Sequence, residues 1–319
     1  MANSASRMLI LQEAARRGWQ TQTIGPNAEF LKVTHPDGRW ELFRGPQPKR
    51  NSAVGQAVSK YKHITLDFIK TYGYSVPEYA LVTTEAEAQA FLEKYGTMIL
   101  KPADGQRSEG VTVNISEQSA LSNAMAFALQ HSNRGKVIAQ QHCVGNLYRL
   151  LIVNGKMVAA TWRSGLSVMG DGKSSVQQLI EELNTDTRRG ESVHLPYKKI
   201  DIATTTSFLG EQTMASVPAL NLEVSLAAMD STPGGGAVNV TDSVHEDWQR
   251  FAVHIAGELG LFVCGFDFVC PDITQPIQDN YVPVLEVNAT PGLRMHEFPT
   301  EGQPVHVIPI IFDALFPNG

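Results

Sequence analysis

Two stretches near the carboxyl end of the chain decide its fold: FVCGFDFVC at 262–270 and VPVLEVNATPG at 282–292. Both are typical of strands, in which successive side chains alternate between two faces. Asp267 is the lone acid on its face of the first strand. Glu286 and Asn288 lie two residues apart in the second strand and share one face. If the two strands pair, three oxygen-bearing side chains converge.

The same alternation predicts the neighbours of these groups. In the second strand it places Val284 beside Glu286 and Asn288, with Leu285 and Val287 on the opposite face. Hard oxygen ligands without His or Cys suit magnesium that is bound together with substrate phosphates, rather than zinc or copper. The alternative is a pair of half-buried strands whose polar residues face solvent.

The loop KPADGQRSEGV at 101–111 supplies a second set of polar groups. Lys101 ends an apolar strand, and Gly105 and Gly110 bracket a polar loop whose backbone N–H groups can close over phosphates. The loop is not a Walker A motif, because no Lys-Ser/Thr follows its second glycine. Upstream, Lys62 begins a helix and adds a cation. A surface hairpin has a similar sequence, so this loop alone does not decide between the two interpretations.

A glycine cluster and three arginines supply groups that can bind anions. Glycine-rich backbone lets an anion approach N–H groups closely, and arginine binds carboxylate or phosphate in a bidentate way. The candidates are Gly234, Gly235, Gly236, Arg149, Arg163 and Arg294. The alternative for the arginines is a solvated surface position. A further turn, GDGKSS at 170–175, precedes a helix and is interpreted as a capped turn.

Composition restricts the class of protein. The chain has 319 residues, 43% of them hydrophobic, and a formal net charge of -6. The acidic balance argues against nucleic acid as a partner, because phosphate-backbone binding needs a concentrated basic surface. The apolar run at the amino terminus is too short for a signal peptide or a membrane span, which predicts a cytoplasmic protein without membrane contact. Three cysteines are too few for a disulfide framework or a four-ligand zinc site.

Helical and strand patterns alternate along the chain and predict an α+β protein. We expect residues 1–60 to form a small amino-terminal unit. Residues 61–140 are predicted to form a lobe with the phosphate loop, and residues 141–319 a second lobe with the metal and substrate sites. A polar stretch at 45–55 marks the first boundary.

Capping signals predict where two helices begin. Thr84, with Glu87 three residues later, predicts a capping box. Ser174 and Gln177 predict the start of a helix over 174–184. Another helix, over 245–259, is predicted to have one apolar face, formed by Trp248, Phe251, Ala252, Ile255, Ala256 and Leu259.

In their order along the chain, these motifs resemble the ATP-grasp superfamily. The matching residues are Lys62-x-x-Thr65, Lys101-Pro102, the loop from Gly105 to Gly110, Gly265-x-Asp267 and Glu286-Val287-Asn288-x-x-Pro291-Gly292. GDGKS at 170–174 and PGLRMH at 291–296 are similar to the ATP-grasp domain of cyanophycin synthetase and, less closely, to the glutathione-synthetase half of bifunctional glutathione enzymes. The resemblance covers residues 60–317.

The resemblance implies an ATP-grasp fold, in which two α+β lobes clamp a nucleotide. It also implies an ADP-forming ligase that uses ATP and Mg²⁺, with Mn²⁺ as an alternative metal. The implied phosphate contacts are Lys62, Lys101 and the loop from Asp104 through Gly105 to Gly110, and the implied metal ligands are Asp267, Glu286 and Asn288. Arg149 and, as a weaker candidate, Arg294 would orient the acyl phosphate or the substrate carboxylate. We add Arg163 and the glycine cluster as candidate substrate groups.

The nucleoside end departs from the family. Gln140 stands where these families usually place a Glu that meets the adenine amino group, and Leu147 stands where an acid usually meets the ribose. Asn146, one residue earlier, is the candidate for that ribose contact. Because the phosphate and metal groups are intact, ATP remains the expected nucleotide.

Together these features predict a ligase that joins an amino acid or short peptide to an amine through an acyl phosphate. One alternative is a glutathione-synthetase-like ligase, and another is a nucleotide-binding protein that has lost catalysis. The resemblance does not extend to the Mur-ligase-like half of cyanophycin synthetase, so we expect this protein to form one kind of bond. A homo-oligomer is also expected.

Overall fold

The structure is a computed structural model that describes residues 5–104, 110–205, 209, 212–226 and 235–317. Two of the predicted site residues, Gly105 and Gly234, lie outside the described residues. The chain divides into two compact units that are discontinuous in sequence. Unit 1 comprises Met1–Pro46, Ala159–Thr241 and Gly292–Gly319, and unit 2 comprises Gln47–Val158 and Asp242–Pro291.

Strands and helices alternate along the chain. The strands are β1 (Gln20–Ile24), β2 (Phe30–Thr34), β3 (Trp40–Arg44), β4 (Gln47–Pro48), β5 (Tyr79–Val82), β6 (Met98–Pro102), β7 (Thr112–Ile115), β8 (Val137–Gln141), β9 (Asn146–Val153), β10 (Lys156–Arg163), β11 (Ser167–Met169), β12 (Glu223–Ser225), β13 (Ala237–Asn239), β14 (Val263–Cys270) and β15 (Val284–Asn288). The helices are α1 (Ala5–Arg16), α2 (Ala53–Lys60), α3 (Lys62–Lys70), α4 (Glu85–Tyr95), α5 (Leu121–Gln130), α6 (Val176–Leu183), α7 (Ile202–Thr205), α8 (Glu246–Glu258), α9 (Arg294–Glu297) and α10 (Val307–Leu315). The predicted α+β class is confirmed.

Unit 2 contains an antiparallel sheet of four strands in the order β5-β8-β6-β7. Its core combines alternate residues of these strands with apolar residues of α4 and α5, including Leu100, Ala139, Phe91 and Leu121. Period-two alternation in the strands therefore determines which sheet face the two helices cover. The predicted capping box at the start of α4 is confirmed, since Thr84 and Glu87 each bond the other's backbone N–H.

The second antiparallel arrangement of unit 2 consists of β9, β14 and β15, with β14 in the middle. Helix α8 covers it with the apolar face predicted for residues 245–259. The ring centroids of Trp248 and Phe251 lie 5.3 and 5.8 Å from that of Phe268, in edge-on packing. Cys264 and Cys270 are also buried here, and burial raises the pKa of the Cys270 thiol to about 12. Both thiols therefore serve as packing groups of this core.

Unit 1 contains the antiparallel strands β1, β2 and β3, and β2 and β3 form a hairpin. Helices α1 and α10 pack together in this unit, and Arg17, directly after α1, bonds Asp313 of α10 at 2.7 Å. Strand β10 pairs with β13, and β11 pairs with β12. Helix α6 lies against β11 through a small apolar cluster that includes Val168, Leu179 and Ile180.

One sequence prediction is corrected here. The capping box of α6 uses Ser175 and Gln178, one residue later than predicted, because the hydroxyl of Ser174 already donates to Asp171 at 2.7 Å. The predicted capped turn at 170–175 is supported by the same Asp171, which accepts bonds from two backbone N–H groups. The polar stretch at 45–55, predicted to mark a boundary, contains β4, the start of α2 and the change from unit 1 to unit 2 at Pro46 and Gln47.

The predicted division into residues 1–60, 61–140 and 141–319 stays a prediction about lobes, since the two compact units follow a different, discontinuous division. Among the described residues, every helix is too short or too polar to cross a membrane. The cytoplasmic location and the homo-oligomeric state also stay predictions.

Candidate functional site

The candidate site is built where β14 and β15 pair. Asp267 lies directly opposite Glu286, and Asn288 lies opposite Gly265, two residues along the ladder. Directly opposed residues of antiparallel strands share a face, so the three polar side chains are neighbours. Asn288 donates a hydrogen bond from Nδ2 to Oε1 of Glu286 at 2.5 Å. The two strands therefore pair, which is the condition under which the sequence brings these side chains together.

A β-bulge interrupts β15 beside the site. The register shifts after Glu286, so that Val284 pairs with Phe268 and Leu285 is the additional residue. Val284 and Val287 are buried, whereas Leu285 and Glu286 are both half-buried. The predicted alternation, with Val284 beside Glu286 and Leu285 beside Val287, is therefore wrong at this point, because the bulge inserts one residue into the pattern.

Two cations offset the charges of the two carboxylates. Arg149 lies opposite Asp267 on β9 and donates to both of its carboxylate oxygens, from Nε and Nη2. The distance from Arg149 Nη2 to Glu286 Oε1 is 4.0 Å, and Lys62 Nζ lies 3.7 Å from Glu286 Oε2. The side chains of Arg149 and Asp267 are only 7% and 3% exposed. This bidentate contact holds the Asp267 carboxylate in one orientation.

The pKa of Glu286 reflects these neighbours. Burial by itself would raise this pKa, but the charges of Lys62 and Arg149 and the hydrogen bond from Asn288 outweigh burial and lower the pKa to about 2. Glu286 is therefore ionised at neutral pH and available to a cation.

The donor chemistry fits a hard divalent cation such as Mg²⁺. The set consists of two carboxylates and one amide oxygen, the ligand types that Mg²⁺ prefers when nucleotide oxygens and water complete its coordination. In the part of the chain that the structure describes, no group of three or more His, Cys, Asp and Glu residues is arranged around a common metal position. A set of only two acids and an amide agrees with that finding.

Asn51 is a supporting residue that the sequence did not indicate. It is buried, and its carboxamide accepts from the N–H of Val263 at 2.9 Å and donates to the carbonyls of Val263 and Ala289 at 2.8 and 3.2 Å. Asn51 thus joins the start of β14 to the residue that follows β15. Its position in a polar stretch is typical of a loop residue, so no sequence pattern distinguishes it.

Lys101 and Gln140 lie in the four-stranded sheet of unit 2. Gln140 is opposite Ile99 and Lys101 is opposite Ile138, so all four share one face. Lys101 is 5% exposed and Gln140 is completely buried. This face is opposite to the one that α4 and α5 cover. The structure therefore brings a predicted phosphate-binding lysine and a predicted nucleoside-binding amide onto the same side of a sheet.

The two described ends of the predicted phosphate loop are anchored. The carboxylate of Asp104 accepts from Ser132 Oγ at 3.1 Å and from the N–H of Asn133 at 3.2 Å. Gly110 has a φ of +75°, and a Cβ added there would lie 2.7 Å from Cβ of His131 and 2.8 Å from Cγ of Pro102. Only glycine fits this conformation and this space without a shift of its neighbours.

The remaining anion-binding candidates lie in unit 1. Arg163, at the end of β10, is half-buried and pairs in register with Ala237. Gly235 is half-buried, and the N–H of Gly236 donates to Ser164 Oγ at 2.9 Å. Arg294 donates to the carbonyls of Val193 and Leu195, so its guanidinium helps hold that segment of unit 1. The substrate and catalytic roles of these residues stay predictions.

The ribose candidates lie side by side at the start of β9. The amide of Asn146 donates to the carbonyl of Pro271 at 2.9 Å, and Leu147 is completely buried. The apolar side chain of Leu147 therefore packs in the core, and the ribose contact assigned to Asn146 stays a prediction.

Comparison with known proteins defines the class of this fold. The crystal structure of a bifunctional glutathione synthetase from Pasteurella multocida has a TM-score of 0.68 to this chain, with 26% identity over 99% of this chain and 44% of that chain. The family model described as the ATP-grasp domain of prokaryotic glutathione synthetase matches residues 65–183. The chain has the ATP-grasp fold, as predicted, and it is similar to proteins of the ATP-grasp superfamily.

Two curated relatives cover almost the whole chain. Cyanophycin synthetase of Nostoc sp. is 30% identical over 315 residues, which are 97% of this chain and 34% of the relative. A glutathione biosynthesis bifunctional protein of Pasteurella multocida is 27% identical over 324 residues, which are 98% of this chain and 42% of the relative. The chain thus spans less than half the length of each of these relatives.

Proposed function

We propose that this chain is an ATP-dependent carboxylate–amine ligase that forms an amide or peptide bond through an acyl phosphate. The observation that carries the proposal is the cross-strand pair of Asp267 and Glu286, with Asn288 alongside, in contact with Arg149 and Lys62. Relatives that synthesise cyanophycin and glutathione support an amino acid or short peptide as substrate.

The reaction follows from the chemistry of carboxylates. A carboxylate is a poor electrophile, because neither of its oxygens leaves readily. Transfer of the γ-phosphoryl group of ATP to a carboxylate oxygen yields ADP and an acyl phosphate, and attack by an amine then forms the amide and releases phosphate. Lys62, Lys101 and Arg149 supply positive charge that offsets the charge on the transferring group.

Asp267, Glu286 and Asn288 would hold Mg²⁺ in this proposal. When bound, Mg²⁺ neutralises and orients phosphate oxygens of the nucleotide. Arg149 fixes the Asp267 carboxylate through its bidentate contact and lies next to the reacting groups. The loop from Asp104 to Gly110 would cover the phosphates and keep water from the acyl phosphate.

The proposal is tested by incubating the purified protein with ATP, Mg²⁺ and a panel of amino acids and dipeptides. We expect release of ADP and phosphate together with one coupled product. Glu286→Gln should lower turnover by a factor of about 100 or more, because one charged metal ligand is lost. Glu246→Gln, at an exposed glutamate of α8, is the matched control and should retain activity.

The same test distinguishes two alternative functions. The family model over 65–183 favours a glutathione-synthetase-like ligase, which would consume γ-glutamylcysteine with glycine. A protein that has lost catalysis would bind ATP without releasing ADP on any substrate pair, and that result would refute the proposed ligase.

A further inference from the structure

Strand β1, with the sequence QTQTI, forms an open edge of the sheet in unit 1. Strand β2 pairs with one side of β1, and no strand in the part of the chain that the structure describes pairs with the other side. All five residues of β1 are exposed, which holds for no other described strand. An open edge presents a row of backbone N–H and C=O groups, so another strand can pair with it.

The sequence of β1 lacks the features that usually prevent such pairing. Edge strands are protected by charged side chains, proline, bulges or short length. Strand β1 has neither charge nor proline, and its register with β2 continues without a shift from Gln20 to Ile24. In unit 2, by contrast, the edge strand β15 carries Glu286 and a bulge, and the edge strand β7 contains Asn114 with a φ of +56°. The edge of β1 is therefore suited to pair with a further strand.

The side chains of β1 are complementary to a second copy of the same strand. If two copies pair antiparallel around a two-fold axis at Gln22, each Gln22 lies opposite the other. Thr21 then lies opposite Thr23 of the second copy, and Gln20 lies opposite Ile24. Directly opposed residues share a face, and Thr–Thr pairs and paired carboxamides can form hydrogen bonds. Because the strand is uncharged, like charges do not meet in this arrangement.

The neighbours of β1 are compatible with this pairing. Lys32 lies opposite Gln22 on β2, so it is a charged residue of the same face. The two copies of Lys32 would be three strand spacings apart, about 14 Å, which exceeds the screening length of about 10 Å at roughly 0.1 M salt. Ile24 lies opposite Phe30, and their side chains are 41% and 36% exposed. The aliphatic part of Gln20 from the second copy would cover Ile24.

We propose that β1 pairs antiparallel with β1 of a second copy around a two-fold axis at Gln22, and that this chain forms a homodimer through this edge. The pairing joins strands β1, β2 and β3 of both copies into one continuous sheet. Two-fold dimers are the commonest closed assemblies, and in them one surface patch meets itself. The residue at the axis therefore meets its own copy. This inference concerns assembly and does not depend on the proposed ligase activity.

The axis position makes the proposal testable by charge. Sedimentation velocity of the complete chain, over concentrations from about 1 to about 100 µM, should show a monomer–dimer equilibrium for the wild type. Gln22→Lys and Gln22→Glu each place like charges opposite one another, so each variant alone should dimerise about fivefold more weakly or worse. An equimolar mixture of the two variants should recover dimerisation, because Lys then lies opposite Glu. Recovery in the mixture also shows that both variants are folded.

Gln118→Lys is the matched control, since it makes the same change at an exposed glutamine of unit 2. It should dimerise as the wild type does. A wild-type chain that stays monomeric over the whole concentration range would overturn the proposal. Gln22→Lys that dimerises like the wild type would place the dimer contact elsewhere, and a mixture that stays as weak as its components would exclude a two-fold axis at Gln22.

Discussion

At the scale of single residues, charge compensation is the main property of the site. Two buried or half-buried carboxylates, Asp267 and Glu286, contact two cations, Arg149 and Lys62. A divalent cation that arrives without nucleotide meets a site whose charges already balance. The phosphates of a nucleotide change this balance, because they attract the same two cations. We therefore expect metal to bind mainly together with the nucleotide.

Arg149→Met tests this expectation. The substitution removes the bidentate partner of the buried Asp267 carboxylate, which should lower the free energy of unfolding by about 3–5 kcal/mol in the absence of metal. The site then carries excess negative charge, so Mn²⁺ should bind the nucleotide-free protein about tenfold more tightly or better. Titration with Mn²⁺, followed by electron paramagnetic resonance, measures the affinity.

The control for this substitution is Arg250→Met, which removes an exposed arginine that pairs with Glu246 and Asp247 on α8. It should change neither Mn²⁺ affinity nor, by more than about 1 kcal/mol, the stability. Equal Mn²⁺ affinity in the wild type and Arg149→Met would show that Arg149 does not compete with the metal.

Residue-level prediction from the sequence succeeded where the pattern is local. The convergence of Asp267, Glu286 and Asn288 follows from strand alternation, which the sequence predicts, and from the pairing of β14 with β15, which the sequence left open. The supporting role of Asn51 could not be predicted, because it depends on two strands that lie more than 200 residues away in the chain. The sequence also could not predict that Oε1 and Nε2 of Gln140 lack a hydrogen-bond partner among the described residues.

At the scale of elements, Gly110 connects the predicted phosphate loop to β7 at a position where there is no room for a Cβ. Gly110→Ala should destabilise the protein through a positive φ and through contact with His131 and Pro102. Gly96→Ala is a matched control, because Gly96 also has a φ of +75° but has no atom within 4 Å of an added Cβ. The difference between the two variants isolates the steric contribution.

We expect Gly110→Ala to lower the free energy of unfolding by about 1–3 kcal/mol more than Gly96→Ala does. Urea denaturation of both variants measures this difference. Equal losses would mean that the backbone conformation alone accounts for the effect and that Pro102 and His131 adjust freely.

Element prediction succeeded for patterns that are local and failed for those that depend on distant pairing. The capping box of Thr84 and the apolar face of α8 need only neighbours within a few residues. Strands β11 and β12 pair although more than 50 residues separate them, and each has only three residues, so no local periodicity indicates them. The shift of the α6 cap has a local cause, the competing acceptor Asp171.

At the scale of the whole molecule, the first and last helices belong to the same compact unit, and a small ionic cluster connects them. Glu13 accepts bonds from Arg16 and Arg17, and Arg17 also bonds Asp313. Burial would raise the pKa of Glu13, but the bonds from Arg16 and Arg17 outweigh it and hold the pKa below the ordinary value of 4.5.

Because the pKa of Glu13 is lowered, we expect the free energy of unfolding to decrease as pH falls. A group whose pKa is lower in the folded state stabilises the protein above its unfolded pKa, and that contribution is lost as pH falls from about 4.5 towards the folded value. The difference in unfolding free energy between the wild type and Glu13→Gln should therefore shrink between about pH 6 and about pH 3. Urea titrations over this range measure it.

Glu246→Gln is again a suitable control, because Glu246 is an exposed glutamate that pairs with an arginine on its own helix. A difference between the wild type and Glu13→Gln that stays constant with pH would contradict the role assigned to Glu13.

The class of the fold was predictable from the order of motifs, whereas the discontinuous division into two units depends on contacts between segments that no local pattern connects.

The bulge in β15 has a consequence for how this protein tolerates changes in length. Val284 and Glu286 lie on opposite faces although they are two residues apart, because the bulge accommodates Leu285 between them. Deleting Leu285 would make them adjacent residues of a regular strand, in which neighbours alternate faces, so Val284 could stay opposite Phe268 and Glu286 opposite Asp267. A single-codon deletion should therefore harm the core and the site less at Leu285 than at Val287, whose loss would move Glu286 out of step with Asn288.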